Sequence, residues 1–229
     1  MVIPAYNEEV RIGATLQHVR TFLKEQTWTS EIIVVDDGSK DKTAEIVNAF
    51  PEVKLVRQLP NKGKGAAVRK GMLAASGALR LFSDADLSTP IEELPRFIEA
   101  AKQADIVIAS REIPEAVLAV PQSLPRRVLG RLFSFSVRAI LWIPFIDTQC
   151  GFKLFTEKAA KTLFTLQRLD GFAFDVELLF LARKNGLRVK ELPVTWTNVA
   201  GSKVRWRDPF RMLGQVIKIR LNSWAGKYA

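Results

Sequence analysis

The sequence centres on one short stretch, Leu81-Phe82-Ser83-Asp84-Ala85-Asp86-Leu87-Ser88. A short apolar run before turn-forming residues is typical of a buried strand, and residues i and i+2 of an extended tip point to the same side. We therefore expect Asp84 and Asp86 to converge at the carboxyl end of a strand. Their oxygens suit Mg²⁺ or Mn²⁺ carrying the phosphates of a substrate better than they suit zinc. A solvated turn is the alternative, because Asp-x-Asp occurs in many loops.

Other apolar runs along the chain also end in polar residues. Residues 31–39 form a nearly all β-branched strand that ends in two aspartates, and residues 105–110 form another that ends at Arg111. The chain opens with a strand tip that breaks at Pro4, and weaker strands are predicted at 53–58 and 187–192. Helices are predicted between these strands, at residues 12–24, 41–50, 66–75 and 90–102. The alternation predicts an α/β fold with an open, mostly parallel central sheet flanked by helices, and a ligand in the crevice at the strands' carboxyl ends.

The second half of the sequence has a different pattern. Residues 113–124 show little periodicity and predict a mobile loop, whereas residues 125–142 predict a helix. Arg127, Arg131 and Arg138 fall on a narrow stripe of that helix, and apolar residues cover most of the remaining circumference. Such a helix suits contact with an anionic membrane, and residues 209–221 repeat the same mixture of basic and apolar residues. The alternative is a core helix with one solvated arginine face.

Composition narrows the classes of protein. The net charge is +10, with 34 Lys and Arg against 24 Asp and Glu, which favours anionic partners such as nucleotide phosphates, an anionic membrane or nucleic acid. The single cysteine excludes an intrachain disulfide, and the single His18 excludes a site with several histidines. No apolar run approaches the roughly 20 residues of a spanning helix, so we expect a soluble or peripheral protein.

Three polar segments have two interpretations each. The loop Asn61-Lys62-Gly63-Lys64-Gly65 is either a phosphate cradle made of backbone N–H groups or a flexible basic turn. Asp175 and Glu177 open a predicted helix, where capping and helix-dipole stabilisation compete with a catalytic role. Lys203 follows Gly201-Ser202 in a polar loop, where it could close over a diphosphate.

Together these motifs resemble glycosyltransferase family 2, whose nucleotide-sugar-binding fold is called GT-A. The nucleotide half of that family is matched, in order, by Val2-Ile3-Pro4-Ala5-Tyr6-Asn7-Glu8, Val34-Val35-Asp36-Asp37-Gly38-Ser39, Asn61-Lys62-Gly63-Lys64-Gly65 and Asp84-Ala85-Asp86. The branch that acts on dolichyl (polyprenyl) phosphate is matched further on by Asp147-Thr148-Gln149-Cys150-Gly151-Phe152-Lys153, Phe174-Asp175-Val176-Glu177 and Gly201-Ser202-Lys203. Ser88 departs from the Gln that the mannose synthases of this branch carry.

The resemblance implies a single GT-A domain over residues 1–229. Residues 1–111 would bind the nucleotide sugar, and residues 112–229 would bind the acceptor and present amphipathic, membrane-facing helices. The implied donor-binding residues are Pro4, Tyr6, Glu8, Val35, Asp37, Lys64, Asp84, Ala85, Arg111 and Lys203. Asp84 and Asp86 would hold Mg²⁺ or Mn²⁺, with Asp86 the direct ligand.

The acceptor implied by this branch is a lipid monophosphate, which is already anionic and needs no general base. The enzyme would position that phosphate opposite the leaving nucleoside diphosphate, with Asp86, the metal and Lys203 acting on the leaving group, and would invert the anomeric carbon. Arg126, Arg127 and Arg131 are candidates to hold the acceptor phosphate. Asp175 is a fallback base if the acceptor is instead a sugar hydroxyl.

We therefore expect glucose transfer from UDP-glucose to dolichyl or polyprenyl phosphate by a protein peripheral to the cytoplasmic membrane face. The alternatives within the class are a GDP-mannose-dependent mannosyltransferase and a transferase to another sugar or lipid acceptor. The alternative from another class is a non-catalytic basic module that binds nucleic acid or membrane. We expect no nucleic acid partner, because a binding module has no use for carboxylates at strand ends.

Overall fold

The computed structural model describes residues 1–120, 124–199 and 208–228. Strands in these parts of the chain are β1 (Val2–Ala5), β2 (Ile32–Asp36), β3 (Val53–Arg57), β4 (Leu79–Ser83), β5 (Ile106–Ser110), β6 (Val117–Val120), β7 (Phe152–Thr156), β8 (Val189–Pro193) and β9 (Thr195–Thr197). Helices are α1 (Ile12–Lys24), α2 (Thr43–Asn48), α3 (Lys64–Ala74), α4 (Leu94–Ala100), α5 (Leu124–Leu141), α6 (Glu157–Leu166), α7 (Phe174–Lys184) and α8 (Asp208–Trp224).

A seven-stranded sheet in the order β3-β2-β1-β4-β7-β5-β8 forms the centre of the molecule. Its pairs are parallel except around β7, which runs antiparallel to both β4 and β5. The predicted α/β fold with a mostly parallel sheet is therefore confirmed. The antiparallel strand was not predicted, and it places residues of the second half of the sequence between two strands of the first half.

The sheet is buried on both faces, which explains its continuous apolar strands. Alternate residues enter two separate cores. Val2, Ile33 and Phe82 pack with residues of α3, α6 and α7, whereas Ile3 and Val34 pack with residues of α1 and α4. Because side chains alternate across a strand, one apolar run supplies both layers.

Pro4 lies inside β1, although the sequence predicted that the strand would break there. The carbonyl groups of Met1 and Ala5 accept hydrogen bonds from β2, so the alternate residues Val2 and Pro4 face β4. The pairing of β1 with β4 is limited to Val2 and Phe82. Pro4 therefore removes no ladder hydrogen bond, and the two strands separate towards their carboxyl ends.

One predicted loop is partly a strand. Residues 113–124 were expected to be mobile, but β6 lies within them and pairs in parallel with β9. This pairing joins segments almost 80 residues apart, which local periodicity does not reveal. The helix predicted at 90–102 consists of a 3₁₀ turn followed by α4, and Pro95 lies in the first turn of α4, where a proline removes no helical hydrogen bond.

Helices α5 and α8 pack against each other beside the sheet. Val137 and Leu141 of α5 are buried together with Val216 and Ile219 of α8. None of the helices in the described parts of the chain combines the length and the hydropathy needed to cross a bilayer.

Candidate active site

Loops that follow β1, β2 and β4 meet at the carboxyl end of the sheet. The backbone N–H of Asn7 donates to Ser39 Oγ over 2.9 Å, and the N–H of Lys40 donates to Asn7 Oδ1 over 2.8 Å. Thr15 Oγ of α1 donates to the carbonyl of Ala85 over 2.6 Å. These bonds tie the loops to one another, so the crevice where β1 and β4 separate has a fixed wall.

The acidic segment after β4 is a turn. The N–H of Leu87 donates to the carbonyl of Asp84 over 3.2 Å, and Leu87 has a φ of 46°. Asp86 Oδ1 accepts the N–H of Ser88 over 2.9 Å, an Asx-type bond that stabilises the turn. The expectation of an extended tip was therefore wrong, but the carboxyl-end position of Asp84 and Asp86 was right.

Lys64 opens α3 and points at this turn. Its Nζ lies 2.6 Å from Asp84 Oδ1. Burial by itself would lower the pKa of the Lys64 ammonium, but the carboxylates of Asp84, Asp175 and Asp86 outweigh burial and raise that pKa. Lys64 is therefore a permanent cation beside the acidic turn, paired with Asp84 and close enough to Asp86 to be stabilised by its charge as well.

Gly151, just before β7, lies directly under the Asp84 carboxylate. The backbone N–H of Asp84 donates to the carbonyl of Gly151 over 3.0 Å, and a Cβ at residue 151 would overlap Asp84 Oδ2. Residue 151 therefore has to be glycine for the carboxylate to occupy this position. The Asp147–Lys153 motif of the sequence thus shapes the acidic turn from the opposite strand.

A second ion pair lies behind Lys64. Lys153 of β7 is fully buried, and its Nζ lies 2.6 Å from Asp175 Oδ1 and donates to the carbonyl of Cys150 over 2.6 Å. Burial raises the pKa of the Asp175 carboxyl despite the nearby Lys153 and Lys64. Asp175 lies in the first turn of α7, as predicted, but its side chain makes an ion pair in the interior instead of capping the helix.

Sequence reasoning missed the role of Lys153. The signal was present, because this lysine interrupts the apolar run Phe152-Lys153-Leu154-Phe155. A charged residue in a strand that is covered on both faces requires a buried partner. Glu177 is also buried rather than capping: it accepts the N–H of Leu169 over 2.8 Å and the hydroxyl of Tyr228 over 2.5 Å.

Arg111, at the end of β5, is engaged by Asp147. Two guanidinium nitrogens lie 2.6 and 2.8 Å from the two Asp147 oxygens, and the Arg111 N–H donates to the same carboxylate. The guanidinium also lies 5.5 Å from the ring of Trp196. The charge of Arg111 is therefore largely balanced within the protein before any phosphate approaches.

Asp37 anchors the glycine-lysine loop. Its Oδ1 accepts the N–H of Lys62 over 2.9 Å and the side-chain amide of Gln58 over 2.6 Å, and its Oδ2 accepts the N–H of Gly63 over 2.8 Å. The N–H groups of Lys62 and Gly63 are thus bonded within the protein, and a loop held in this way is not a flexible turn. A phosphate cradle formed by the N–H groups at the start of α3 stays a prediction.

The two loop glycines are required by packing. A Cβ at Gly63 would lie 2.6 Å from the carbonyl oxygen of Asp170, and a Cβ at Gly65 would lie 2.7 Å from Phe174 Cβ. Gly63 also has a φ of 106°, which favours glycine. The loop therefore fits closely against residues 169–174, and this fit places Lys64 beside the acidic turn.

The remaining donor-binding candidates lie around the same crevice, with different exposure. Tyr6 is partly exposed after β1, and Glu8 forms an ion pair with Arg11 over 2.8 Å. Val35 is fully buried in β2, so its side chain belongs to the core and only its backbone is at the crevice. Ala85 is also buried, within the acidic turn.

Four basic candidates lie wholly or in part outside the described residues. Lys203 lies outside the described residues. Arg126, Arg127 and Arg131 belong to α5, but their side chains lie outside the described part of the structure. His18 is exposed on α1 and contacts Glu92.

The donor set of the acidic turn fits a hard divalent cation. Asp84 and Asp86 are both partly exposed and supply carboxylate oxygens, the ligands that Mg²⁺ and Mn²⁺ prefer. Among the described residues no group of three or more His, Cys, Asp or Glu side chains is arranged to hold a metal. Two carboxylates leave most coordination positions to water and substrate, as is usual for an ion that binds phosphates.

Comparison with known sequences places the chain in a family. The sequence model of Glycosyl transferase family 2 matches residues 1–164, more than half of the chain. The chain belongs to this family, and it is a glycosyltransferase. The resemblance inferred from the motifs is therefore confirmed.

Curated relatives match the chain over nearly its whole length. The dolichyl-phosphate beta-glucosyltransferase of Dictyostelium discoideum is 34% identical over 247 residues, which cover 99% of this chain and 75% of the relative. The Homo sapiens enzyme of the same name is also 34% identical over 247 residues, covering 100% of this chain and 76% of the relative.

Solved structures share the fold. The glucosyl-3-phosphoglycerate synthase of Mycobacterium tuberculosis in complex with UDP has a TM-score of 0.71 and 22% identity, and the match covers 98% of this chain and 79% of that one. The same enzyme with Mn²⁺, UDP-glucose and glycerol 3-phosphate also has a TM-score of 0.71, with 20% identity and coverage of 96% and 78%. The fold is therefore of the GT-A type.

Proposed function

We propose that this glycosyltransferase moves glucose from UDP-glucose to a dolichyl or polyprenyl phosphate, with inversion at the anomeric carbon, at the cytoplasmic face of a membrane. The observation that carries the proposal is the acidic turn of Asp84 and Asp86, which lies beside the permanent cation Lys64 at the open end of the sheet. The names of the curated relatives support both the sugar and the lipid acceptor.

UDP-glucose is the donor favoured over GDP-mannose. The relatives named above are glucosyltransferases, and the structures with the same fold hold UDP or UDP-glucose. In this proposal Pro4, Tyr6 and Glu8 line the base and ribose. Asp37 acts indirectly, because its carboxylate already holds the loop that carries Lys64.

A divalent cation, Mg²⁺ or Mn²⁺, would be held by Asp84 and Asp86, with Asp86 as the direct ligand. When bound, it would neutralise the charge that develops on the diphosphate as the glycosidic bond breaks. Lys64 supplies a second positive charge at the same place, and Lys203 is proposed to supply a third. Arg111 contributes less, because Asp147 balances its charge.

A lipid phosphate acceptor would need no general base from the protein. A phosphate oxygen is anionic at neutral pH, so the protein only has to position it opposite the leaving group. Asp175 is nearly completely buried and paired with Lys153, which argues against its use as a general base. Arg126, Arg127 and Arg131 are proposed to hold the acceptor phosphate.

The membrane-facing surface is proposed to be the exposed side of α5 and α8. Phe135, Trp142 and Trp224 are 71%, 70% and 75% exposed, which is unusual for large apolar side chains in one region. A groove of about 380 Å³ between the helices is lined by Ile140, Trp142, Ile217, Arg220, Leu221 and Trp224. Tryptophan and arginine together are typical of membrane interfaces.

Donor and acceptor competition tests the proposal. The purified protein is incubated with Mn²⁺ and a short polyprenyl phosphate, and radiolabelled UDP-glucose is compared with GDP-mannose. We expect label in the lipid fraction from UDP-glucose alone, and none when polyprenol replaces its phosphate. Transfer from GDP-mannose would select the mannosyltransferase alternative, and donor hydrolysis without a lipid product would remove the lipid acceptor.

A further inference from the structure

The acidic turn already contains a cation. Lys64 Nζ contacts Asp84 Oδ1 at 2.6 Å, the distance of a charge-assisted hydrogen bond. The side chain of Lys64 is only 20% exposed, and Asp86 and Asp175 also act on its charge. An ammonium group therefore lies beside the carboxylates that would bind a divalent ion.

The carboxylate of Asp84 has little freedom to move away from Lys64. Its Oδ2 lies against Gly151, and its backbone N–H is bonded to the Gly151 carbonyl. Lys64 is equally constrained at its backbone, because Asp37 holds the N–H groups of the two preceding residues. The backbone of Lys64 is therefore held in place. A divalent ion that binds Asp84 would lie within a few ångströms of the Lys64 ammonium group.

The charges of this neighbourhood nearly cancel. Lys64 offsets part of the negative charge of Asp84 and Asp86, and Lys153 is paired with Asp175. A divalent ion alone would add two positive charges beside Lys64, whereas a divalent ion with a nucleoside diphosphate would add no net positive charge. Partly buried charges are poorly screened, so the difference is significant.

We propose that Lys64 is an internal counter-ion that occupies the acidic turn before the donor binds and makes divalent-ion binding depend on the nucleotide diphosphate. This inference rests on the proposed metal role of Asp84 and Asp86. In the free protein Lys64 repels the divalent ion. When the diphosphate arrives, its negative charge attracts both Lys64 and the ion, so the two ligands bind together.

Binding of the nucleotide and binding of the metal ion are then thermodynamically coupled. If UDP increases the affinity for Mn²⁺ by some factor, Mn²⁺ increases the affinity for UDP by the same factor. Removal of the Lys64 charge strengthens Mn²⁺ binding to the free protein and weakens UDP binding without metal. If Lys64 were only a structural partner of Asp84, removal of its charge would leave the Mn²⁺ affinity of the nucleotide-free protein unchanged.

The role of Lys64 is tested by measuring Mn²⁺ binding, which needs no turnover. Titration calorimetry and the loss of the free-ion EPR signal are each recorded with and without saturating UDP. In nucleotide-free protein, Lys64→Met is expected to bind Mn²⁺ at least about tenfold more tightly than wild type, since a neighbouring positive charge is removed. Lys64→Gln, which keeps a hydrogen-bond donor for Asp84, is expected to do the same. Lys64→Arg keeps the charge and is expected to behave like wild type.

Lys62→Met is the matched control, because it removes the same charge from an exposed position in the same loop. Unchanged Mn²⁺ affinity in both Lys64→Met and Lys64→Gln, with thermal unfolding like wild type, would overturn the inference. An equal gain in Lys62→Met would also overturn it, since the effect would then be long-range charge. If wild type binds no Mn²⁺ even with UDP, the proposed metal site itself fails, which is a different result.

Discussion

At the scale of single residues, the Lys153–Asp175 ion pair is the clearest internal constraint on the site. Both side chains are almost fully buried and 2.6 Å apart. Lys153→Met leaves the Asp175 carboxylate in the interior without its nearest cation. We expect the free energy of unfolding in urea to fall by about 3–5 kcal/mol.

Lys161→Met provides the comparison for this variant. Lys161 also forms a 2.6 Å ion pair, with Glu157, but both side chains are largely exposed. We expect a change of less than about 1 kcal/mol there. Similar free energies of unfolding for the two variants would show that the buried pair contributes no more to stability than the exposed pair.

Residue identities at the acidic turn could be predicted from the sequence, but their partners could not. Asp84 and Asp86 stand out because they end an apolar strand. Lys64 and Lys153 find their carboxylates across loops and strands, at pairings that depend on the topology around β7. Sequence spacing carries no information on such contacts, so Lys153 was overlooked and Asp175 was left between helix capping and a fallback catalytic base.

At the scale of elements, the segment that follows α8 is attached to α7 by two hydrogen bonds of Tyr228. Tyr228 donates to Glu177 Oε1, and Lys184 Nζ donates to the carbonyl of Tyr228 over 3.2 Å. Tyr228→Phe leaves the buried carboxylate one donor short. We expect the free energy of unfolding to fall by roughly 1–3 kcal/mol. We also expect the backbone amides of α8 to exchange faster than those of the central sheet.

Lys227→Ala controls for a general effect at this terminus, since the Lys227 side chain is exposed and its contact with Arg168 comes from the backbone carbonyl. Its exchange rates should match wild type. If Tyr228→Phe exchanges no faster in α8 than this control, the hydroxyl does not hold the helix in place.

Most elements were predictable, and the errors have a common physical origin. Residues 12–24 form α1 with the bounds expected from the apolar spacing, and β2 and β5 are fully buried as their continuous apolar runs predicted. The errors are β6, which exists by pairing with β9, and the antiparallel insertion of β7. Both depend on distant segments, which local patterns do not encode.

At the scale of the whole molecule, the net charge of +10 and the apolar surface of α5 and α8 predict binding to anionic membranes. Trp142→Ala combined with Trp224→Ala is expected to weaken binding to phosphatidylserine vesicles by about tenfold or more, because two large exposed rings are removed. Co-sedimentation at low and high salt measures the apolar and the electrostatic contributions separately.

Trp28→Ala is the control, because Trp28 is partly exposed but lies between α1 and β2, outside the α5–α8 groove. Equal losses of vesicle binding in both variants would place the membrane contact elsewhere.

From the sequence, net charge alone did not distinguish a membrane partner from a nucleic acid partner. The Arg220 guanidinium carbon lies 4.8 Å from the ring centre of Trp142 and 6.0 Å from that of Trp224. Composition does not reveal this grouping of arginine and tryptophan, which favours the membrane.

Metal-dependent glucosyl transfer at the acidic turn is tested most directly by one comparison of turnover. Transfer from UDP-glucose to a short polyprenyl phosphate is compared in wild type, Asp86→Asn and the exposed control Glu99→Gln, with Mn²⁺ present or removed by EDTA. We predict that Asp86→Asn and EDTA each reduce turnover by at least about a hundredfold, while Glu99→Gln is unaffected and all variants unfold at the wild-type temperature. Full turnover in folded Asp86→Asn would contradict the account.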